Sequence, residues 1–467
     1  MYKIDINNPV HIHFIGIGGI SMSGLAALLA SKGFSVSGSD RGASPITKTL
    51  SEQGIKIYIG QSASNITDDI DVVVYTAAIH PDNPEYAACV EKGLPMLDRA
   101  SLLGQLCKFF KNSIGIAGTH GKTTTTSMVS MILLAAETDP TISVGGILPA
   151  IGGNLRIGQG ESFLFEACEY TNSFLKFYPT DEIILNIEAD HLDFFKDLAE
   201  IRESFHNYAL LLPEDGHLVI NGEIENHEEI TEGVKCKVST YGVPAEGMDY
   251  KTCCYNYTAA NITFDELGRA TYDLVENGKI IKTLNLGVPG IHNVSNSLAA
   301  VALSLDLGIS LDAIADGLLA FTGTERRFQK KGDVCGVTII DDYAHHPTEI
   351  NATLSTAKKY NANNVWCVFQ PHTYTRTKAL RPEFVDALKG ADKVVLAKIY
   401  AAREVDTGEI SSADLCEDLK NAGIEAYYFP TFDEIENFLL KSLTTGDLLI
   451  TMGAGDIVKV GEHLLGN

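Results

Sequence analysis

Positive charge is scarce in this sequence. Among 467 residues, 36 Lys and Arg stand against 60 Asp and Glu, a formal net charge of −24. That balance disfavours general attraction to a nucleic-acid backbone or an anionic membrane, so no nucleic-acid partner is expected. Runs of about 20 apolar residues are also missing, and with them any expectation of membrane insertion. The opening stretch, 1–9, is polar, carries Asp5 and lacks the apolar core of a secretion signal. The cysteines at 89, 107, 168, 236, 253, 254, 335, 367 and 416 form no Cys-x-x-Cys pair and no Cys/His zinc spacing. Free thiols in a reducing cytoplasm are the expectation. Fixed-period repeats and low-complexity tracts are absent too. What remains is an ordinary globular composition, 45% hydrophobic and 21% charged. At roughly 150 residues per domain the length suggests about three domains.

Strand and helix signals alternate over the first hundred residues. Stretches 10–17, 34–38, 55–59 and 72–75 read as strands, and 21–31, 84–92 and 101–111 as helices. This is the rhythm of a parallel sheet covered by helices. A second series follows, with strands at 113–117, 162–166, 182–187 and 217–220 and helices at 123–136 and 294–307. Residues 223–285 are more polar and read as an antiparallel insertion. The charged stretch 324–333 marks a junction. Beyond it come strands at 337–340, 365–369, 393–396 and 447–451 and a helix at 347–358. The expectation is an α/β chain of three domains, over 1–111, 112–323 and 324–467.

The sharpest motif is Gly118-Thr119-His120-Gly121-Lys122-Thr123-Thr124, placed between an expected strand and an expected helix. Glycines let backbone N–H groups close on phosphate oxygens, and the helix start adds partial positive charge. Lys122 can reach the β- and γ-phosphates and the Thr123 hydroxyl can ligate Mg²⁺. The spacing departs from the general P-loop pattern, since Ile116 stands where the first glycine belongs. The bland alternative, a glycine turn with a surface lysine, does not explain the strand–turn–helix setting.

Gly16-Ile17-Gly18-Gly19-Ile20-Ser21 also opens a helix after a strand, and Asp40 follows at the end of the next strand. The pattern suits a diphosphate-containing ligand. Ser21 replaces the third glycine of a dinucleotide fingerprint, so NAD is only one candidate. Glu166 ends one strand, and Asn186-Ile187-Glu188-Ala189-Asp190-His191 ends another. Carboxylates and an imidazole at strand carboxyl ends could hold Mg²⁺ beside ATP phosphates. Singly, His191 would more often be a hydrogen-bonded structural histidine. Arg326 and Arg327 offer planar forks for a transferring phosphoryl group, or a solvated interdomain salt bridge. Asp341-Asp342-Tyr343-Ala344-His345-His346-Pro347 and Gln370-Pro371-His372-Thr373-Tyr374-Thr375-Arg376 suit ribose or amino-acid contacts, or plain helix capping.

In order, GTHGKTTTT, NIEADH, PGIHNVSN, GTERRFQ, DDYAHHPTE and QPHTYTRT resemble the Mur ligase family of ATP-dependent amide-forming enzymes over nearly the whole chain. The resemblance implies a Rossmann-like UDP-binding N-terminal domain, a P-loop ATPase-like central domain and a Rossmann-like C-terminal domain. It is nearest to members that add L-alanine to UDP-N-acetylmuramate in peptidoglycan precursor synthesis. A recycling ligase that joins a peptide to the same sugar nucleotide is the alternative. The implied cofactors are ATP and Mg²⁺, or Mn²⁺ in its place. Carried over, Gly18, Gly19, Ile20 and Ser21, with Asp40, would hold the UDP substrate. Residues 118–124 would bind ATP, with Thr123, Glu166 and His191 on the metal. His292 and Asn293 would lie on the adenine side, Asp341 near the ribose, and Arg326 at the γ-phosphate. Lys122, His191 and Arg326 would be catalytic, and His346 and Arg376 would meet the amino acid. The chain departs from many alanine-adding members at Cys168, Tyr170 and Thr171, and at Thr373, where many carry Arg. The sequence leaves monomer and dimer both open.

Overall fold

The computed structural model describes residues 2–76, 78–245, 247–402 and 404–467. Its strands, several of them short β-branched runs such as Val72–Tyr75 and Lys393–Leu396, sort into three sheets. The first contains β1 (His11–Ile15), β2 (Ser35–Asp40), β3 (Lys56–Ile59), β4 (Val72–Tyr75) and β5 (Met96–Asp98), in the order β3-β2-β1-β4-β5. All its pairs are parallel. Ile12, Phe14 and Val72 to Val74 are fully buried, as a sheet covered on both faces requires. Strand order reverses between β1 and β4, so the loop after β1 emerges at the switch point where such sheets bind ligands. Local chemistry sets the helix ends. In Pro84–Lys92, Asn83 accepts from the Glu85 and Tyr86 N–H groups, Pro84 occupies the first turn, and Gly93 closes the helix at φ 65°.

The second sheet comprises β6 (Asn112–Ala117), β7 (Thr141–Leu148), β8 (Gly153–Arg156), β9 (Ser162–Glu166), β10 (Asp181–Ile184), β11 (His217–Asn221), β12 (Lys237–Gly242), β13 (Tyr257–Phe264), β14 (Arg269–Glu276) and β15 (Lys279–Pro289). Their order is β15-β14-β13-β12-β11-β10-β6-β9-β7-β8, with β6 between β10 and β9, parallel to both. The stretch 223–285 is not a separate insertion. β12 joins β11 and β13 in parallel, and the β13–β15 meander then extends the same sheet antiparallel. The helix Ile291–Asp306 covers the meander's apolar face, where the Tyr272 hydroxyl lies 2.8 Å from Ser297 Oγ.

The third sheet contains β16 (Gln329–Val334), β17 (Val337–Asp342), β18 (Val365–Phe369), β19 (Lys393–Leu396), β20 (Glu425–Tyr428) and β21 (Leu448–Met452), in the order β16-β17-β21-β18-β19-β20. It is parallel apart from the β16 hairpin. The charged stretch expected as a junction therefore contains an edge strand, where lysines keep the exposed ladder from pairing further.

The first two sheets share one apolar core, in which the helix Arg99–Cys107 meets the chain near Phe177. Gly104 permits this approach, because a Cβ there would lie 2.0 Å from the Lys176 carbonyl oxygen. The nine cysteines are free thiols. Among the described residues no helix is long and apolar enough to cross a membrane.

Candidate active site

β6, β9 and β10 deliver their carboxyl ends side by side, and the expected motifs occupy those ends. Loop 118–121 joins β6 to the helix Lys122–Ala135. Gly118 (φ 142°) and Gly121 (φ 81°) take backbone conformations that side chains disfavour, and no side chain caps the helix start. Its first N–H groups are thus available to an anion. Asn186, just past β10, holds the loop from the other side. Its carbonyl accepts from Thr119 N–H (3.1 Å), its side chain accepts from His120 N–H (2.7 Å), and its amide donates to His120 O (3.1 Å).

Lys122 donates to the Gly118 and Thr119 carbonyls and pairs with Glu169 at 3.2 Å. Burial works to lower the pKa of this ammonium, but Glu169, with Cys168 and Glu166 adding to it, outweighs burial and raises the pKa above the ordinary lysine value. Glu169 also stands 3.9 Å from His191 Nε2, and the His191 ring lies 4.5 Å from that of Tyr170. Tyr170 in turn donates to Asp193 (2.9 Å). The departures at 168–171 thus leave Glu169 on Lys122 and place Tyr170 against the imidazole.

Glu166 accepts from Gly145 N–H at 2.6 Å, and a Cβ on Gly145 would sit 2.6 Å from its carboxylate. A Cβ on Gly146 would meet Thr123 Cγ2 at 3.3 Å. Gly145 therefore makes room for the Glu166 carboxylate and Gly146 for the Thr324 and Thr123 methyls; the Thr123 hydroxyl and Glu166 carboxylate are oxygen donors of the kind that suits Mg²⁺.

A cavity of about 340 Å³ opens between the second and third sheets beside this loop. Its wall includes His120, Gly121, Thr124, His292 and Asn293. Burial, with Lys359 adding to it, takes His292 down to about 4, so its imidazole is neutral at pH 7. Arg326 and Asp341, expected at the nucleotide, do not line this cavity. Arg326 Nε pairs with Asp341 (3.0 Å), and its two terminal nitrogens donate to the Gly455 (3.0 Å) and Gly453 (2.8 Å) carbonyls. Asp341 accepts a further bond from Thr451 Oγ1 (2.7 Å). The cavity wall instead presents their neighbours, Arg327 and Asp342. Arg327 lies over the Tyr343 ring and 3.8 Å from Glu349, while burial pushes Asp342 up to about 6.

A second cavity, about 110 Å³, lies among Asp190, His191, Tyr343, His345, Thr373 and Arg376. Arg376 grips Asp190 Oδ1 through Nε (3.0 Å) and Nη2 (2.8 Å), joining the third sheet's unit to the second's. Burial opposes ionisation of Asp190, yet the Arg376 guanidinium holds its carboxyl well below the usual range. Thr373 (φ 66°) caps the helix Tyr374–Ala379 by accepting from Arg376 N–H. His346 lies outside this cavity. It caps the helix Pro347–Ala357, and its ring centroid is 4.5 Å from that of His120. His345 lines the cavity in its place, brought down to about 4 by burial. Glu188 and Glu349 flank His120 and push it up to about 9 against the effect of burial.

In the first sheet's unit, Asp40 accepts from Gly18 N–H (2.8 Å), and a Cβ on Gly18 would lie 2.7 Å from that carboxylate. Gly19 precedes the helix Ile20–Ser31 with no side-chain cap. Ser21 Oγ accepts from Arg99 Nη1 (3.1 Å), and Ile20 O accepts from Asn154 of the second sheet's unit (3.0 Å). Arg99 carries no motif signal in the sequence. Arg327, Asp342, Glu169 and Asp190 all sit inside runs the sequence singles out, one to three residues from the expected positions.

Three family models match in succession: "Mur ligase family, catalytic domain" over 11–111, "Mur ligase middle domain" over 116–304 and "Mur ligase, glutamate ligase domain" over 326–455. The chain is 62% identical, over the full length of both proteins, to a UDP-N-acetylmuramate–L-alanine ligase of Lachnospira eligens. Among solved structures, the UDP-N-acetylmuramate-alanine ligase of Thermotoga maritima matches with a TM-score of 0.80 and 31% identity, covering 98% of each chain. A murein peptide ligase of Psychrobacter arcticus matches with a TM-score of 0.72 and 25% identity over the same share. With three domain models in order and relatives matched end to end, the chain belongs to the Mur ligase family.

Proposed function

We propose that this protein is an ATP-dependent ligase that joins the amine of L-alanine to the lactyl carboxylate of UDP-N-acetylmuramate, an early step of peptidoglycan precursor synthesis. The observation that carries the reading is the full-length 62% identity to a protein of that name. The recycling ligase, with 25% identity to one solved example and 29% to another that covers 68% of this chain, is the weaker reading. The site supports the same chemistry. Segment 186–193 runs from the floor of the larger cavity, at Asn186, to the wall of the smaller one, at Asp190 to Asp193. A nucleotide held in the first and an amine held in the second would meet across it.

A carboxylate is a poor acyl donor, because it would have to expel oxide. Transfer of the γ-phosphoryl group makes an acyl phosphate and ADP; amine attack then gives a tetrahedral intermediate that releases phosphate. Phosphoryl transfer depends chiefly on positioning and charge neutralisation. Lys122, kept cationic by Glu169, supplies charge at the loop, and Arg327 supplies it from the opposite wall. Thr123 and Glu166 would hold Mg²⁺ with His191 nearby, and the ion would neutralise charge on the phosphates. Arg376 and His345 would orient the amino acid, with Asp190 fixing the guanidinium. Gly18 to Ser21 would receive the UDP diphosphate at a helix start. Trapping the acyl phosphate by borohydride reduction tests the pathway. The reduced alcohol of the muramyl group should form only with ATP present, and formation without ATP would contradict it.

A further inference from the structure

Beside the phosphate loop, three side chains with metal-ligating atoms converge from two units of the fold. His120 and Glu188 come from the second sheet's unit and His346 from the third's. One ligand atom from each lies within 4.8 Å of the other two. This group is separate from Thr123, Glu166 and His191, and the ligase chemistry above makes no use of its side chains. His120 Nε2 is buried and has no hydrogen-bond partner among the described residues, although it stands 3.5 Å from Glu188 Oε2. A buried imidazole nitrogen left with only this long ionic contact calls for a closer partner. The same Glu188 oxygen is 4.0 Å from His346 Nδ1.

The outer contacts of each ring fix which nitrogen faces inward. Glu349 Oε1 lies 3.3 Å from His120 Nδ1, and the Ala189 carbonyl lies 3.4 Å from His346 Nε2. Each imidazole can thus keep one N–H on an oxygen behind it, while an ion beside Glu188 would displace the proton that His120 Nε2 carries in its absence and would draw His346 Nδ1 from its long capping contact. Metal-bound histidines are held in the same way, by an acceptor on the ring nitrogen that faces away from the ion. Among the described residues the His346 side chain otherwise takes only helix-capping contacts, from Thr348 N–H at 3.4 Å and from Glu349 N–H, and Thr348 Oγ1 donates to Glu188 Oε2 at 2.5 Å. Ligand atoms about 3.3 Å apart surround a tetrahedral ion with bonds of about 2.0 Å. Small side-chain movements would bring the three donors to that spacing.

We propose that His120 Nε2, His346 Nδ1 and Glu188 form a binding site for one borderline-soft divalent cation of the Zn²⁺ class, which clamps the third sheet's unit onto the phosphate loop. Two imidazoles and one carboxylate favour Zn²⁺, Co²⁺ or Ni²⁺ over Mg²⁺, which takes oxygen donors. Because the donors come from both units, the ion binds tightly only when those units are docked as they are here.

Titration of the full chain with Co²⁺ tests the site, in excess Mg²⁺ and without nucleotide. One equivalent should give the visible ligand-field bands of low-coordinate Co²⁺, without sulfur charge transfer, and Zn²⁺ should displace it. His346→Gln and Glu188→Gln should each abolish the bands. Glu349→Gln should keep them and weaken affinity by about 10- to 100-fold. A Cys253→Ser/Cys254→Ser double variant should bind as the parent does. Bands that survive His346→Gln, or vanish with the two cysteines, overturn the proposal. Parent crystals soaked in Zn²⁺ test the site without a variant: an anomalous peak among the three donors supports it, and peaks only elsewhere refute it.

Discussion

Substituting the paired arginines one at a time separates a structural guanidinium from a functional one. Arg326→Met leaves Asp341, fully buried, without its cation, and frees the Gly453 and Gly455 carbonyls from their donor. Breaking a buried ion pair by removing one partner costs about 3–5 kcal/mol. The Thr451 hydroxyl bond to Asp341 survives, so the lower end of that range is expected. Arg327→Met removes a guanidinium whose nearest carboxylate is 3.8 Å away and which is 29% exposed, so stability should change by no more than about 1 kcal/mol. What it removes is charge on the nucleotide wall, where one donor to a transition state is worth about 10²–10³ in kcat. Urea unfolding and steady-state ADP release, measured on both variants, give the comparison. Arg326→Met should lose stability, and Arg326→Met/Asp341→Leu should regain part of it; Arg327→Met should stay stable and lose turnover. A fully stable Arg326→Met with collapsed kcat, beside a normal Arg327→Met, would refute this reasoning and restore Arg326 to the γ-phosphate.

Three further outcomes follow from the geometry. Lys122→Ala should lower substrate-dependent ADP release by about 10²–10³-fold, and near-normal turnover would remove the phosphate loop from the mechanism. His191→Ala should raise the Mg²⁺ concentration needed for half-maximal rate, and an unchanged titration would end its metal role. Glu182, in β10, is wholly buried with both carboxylate oxygens unpartnered among the described residues, and burial raises its pKa well above 4.5. The folded state therefore keeps a proton that the unfolded chain releases, and this group's contribution is complete below about pH 4.5 and shrinks as pH rises from there. Glu182→Met should abolish that loss, gaining stability over the parent by up to about 1.4 kcal/mol per pH unit above the unfolded value. Parallel stability–pH curves for the two proteins would contradict it.

Much of the fold was legible because buried parallel strands are short, β-branched runs. The strands Val72–Tyr75, Val365–Phe369 and Lys393–Leu396 and the helix Pro84–Lys92 have the bounds their sequences indicate. The β7–β8 hairpin was not legible: glycines at 145, 146, 152 and 153 weaken the strand signal, and the first two lie against the Glu166 carboxylate and the Thr324 and Thr123 methyls. The meander β13–β15 was seen as strand and turn, but its membership of the central sheet depends on the Tyr241 to Tyr257 register, a non-local pairing. At the site, motifs located every loop, yet not which member of Arg326-Arg327, Asp341-Asp342 or His345-His346 faces a cavity. Neighbours on a strand, as Asp341 and Asp342 are, point to opposite sides, and Arg326 (φ 61°) sits in a turn; in both cases only packing decides which side chain is inward. The Arg99–Ser21 contact joins residues 78 positions apart, and the His120–Glu188–His346 cluster spans two units of the fold, beyond the reach of any local pattern.

The central claim is tested most directly by phosphate release from ATP with UDP-N-acetylmuramate and a panel of amine acceptors: L-alanine, serine, glycine and a murein tripeptide. Release that requires both the sugar nucleotide and a free amino acid, fastest with L-alanine, is the predicted result. Release that is fastest with the tripeptide, or that proceeds without the sugar nucleotide, would contradict it.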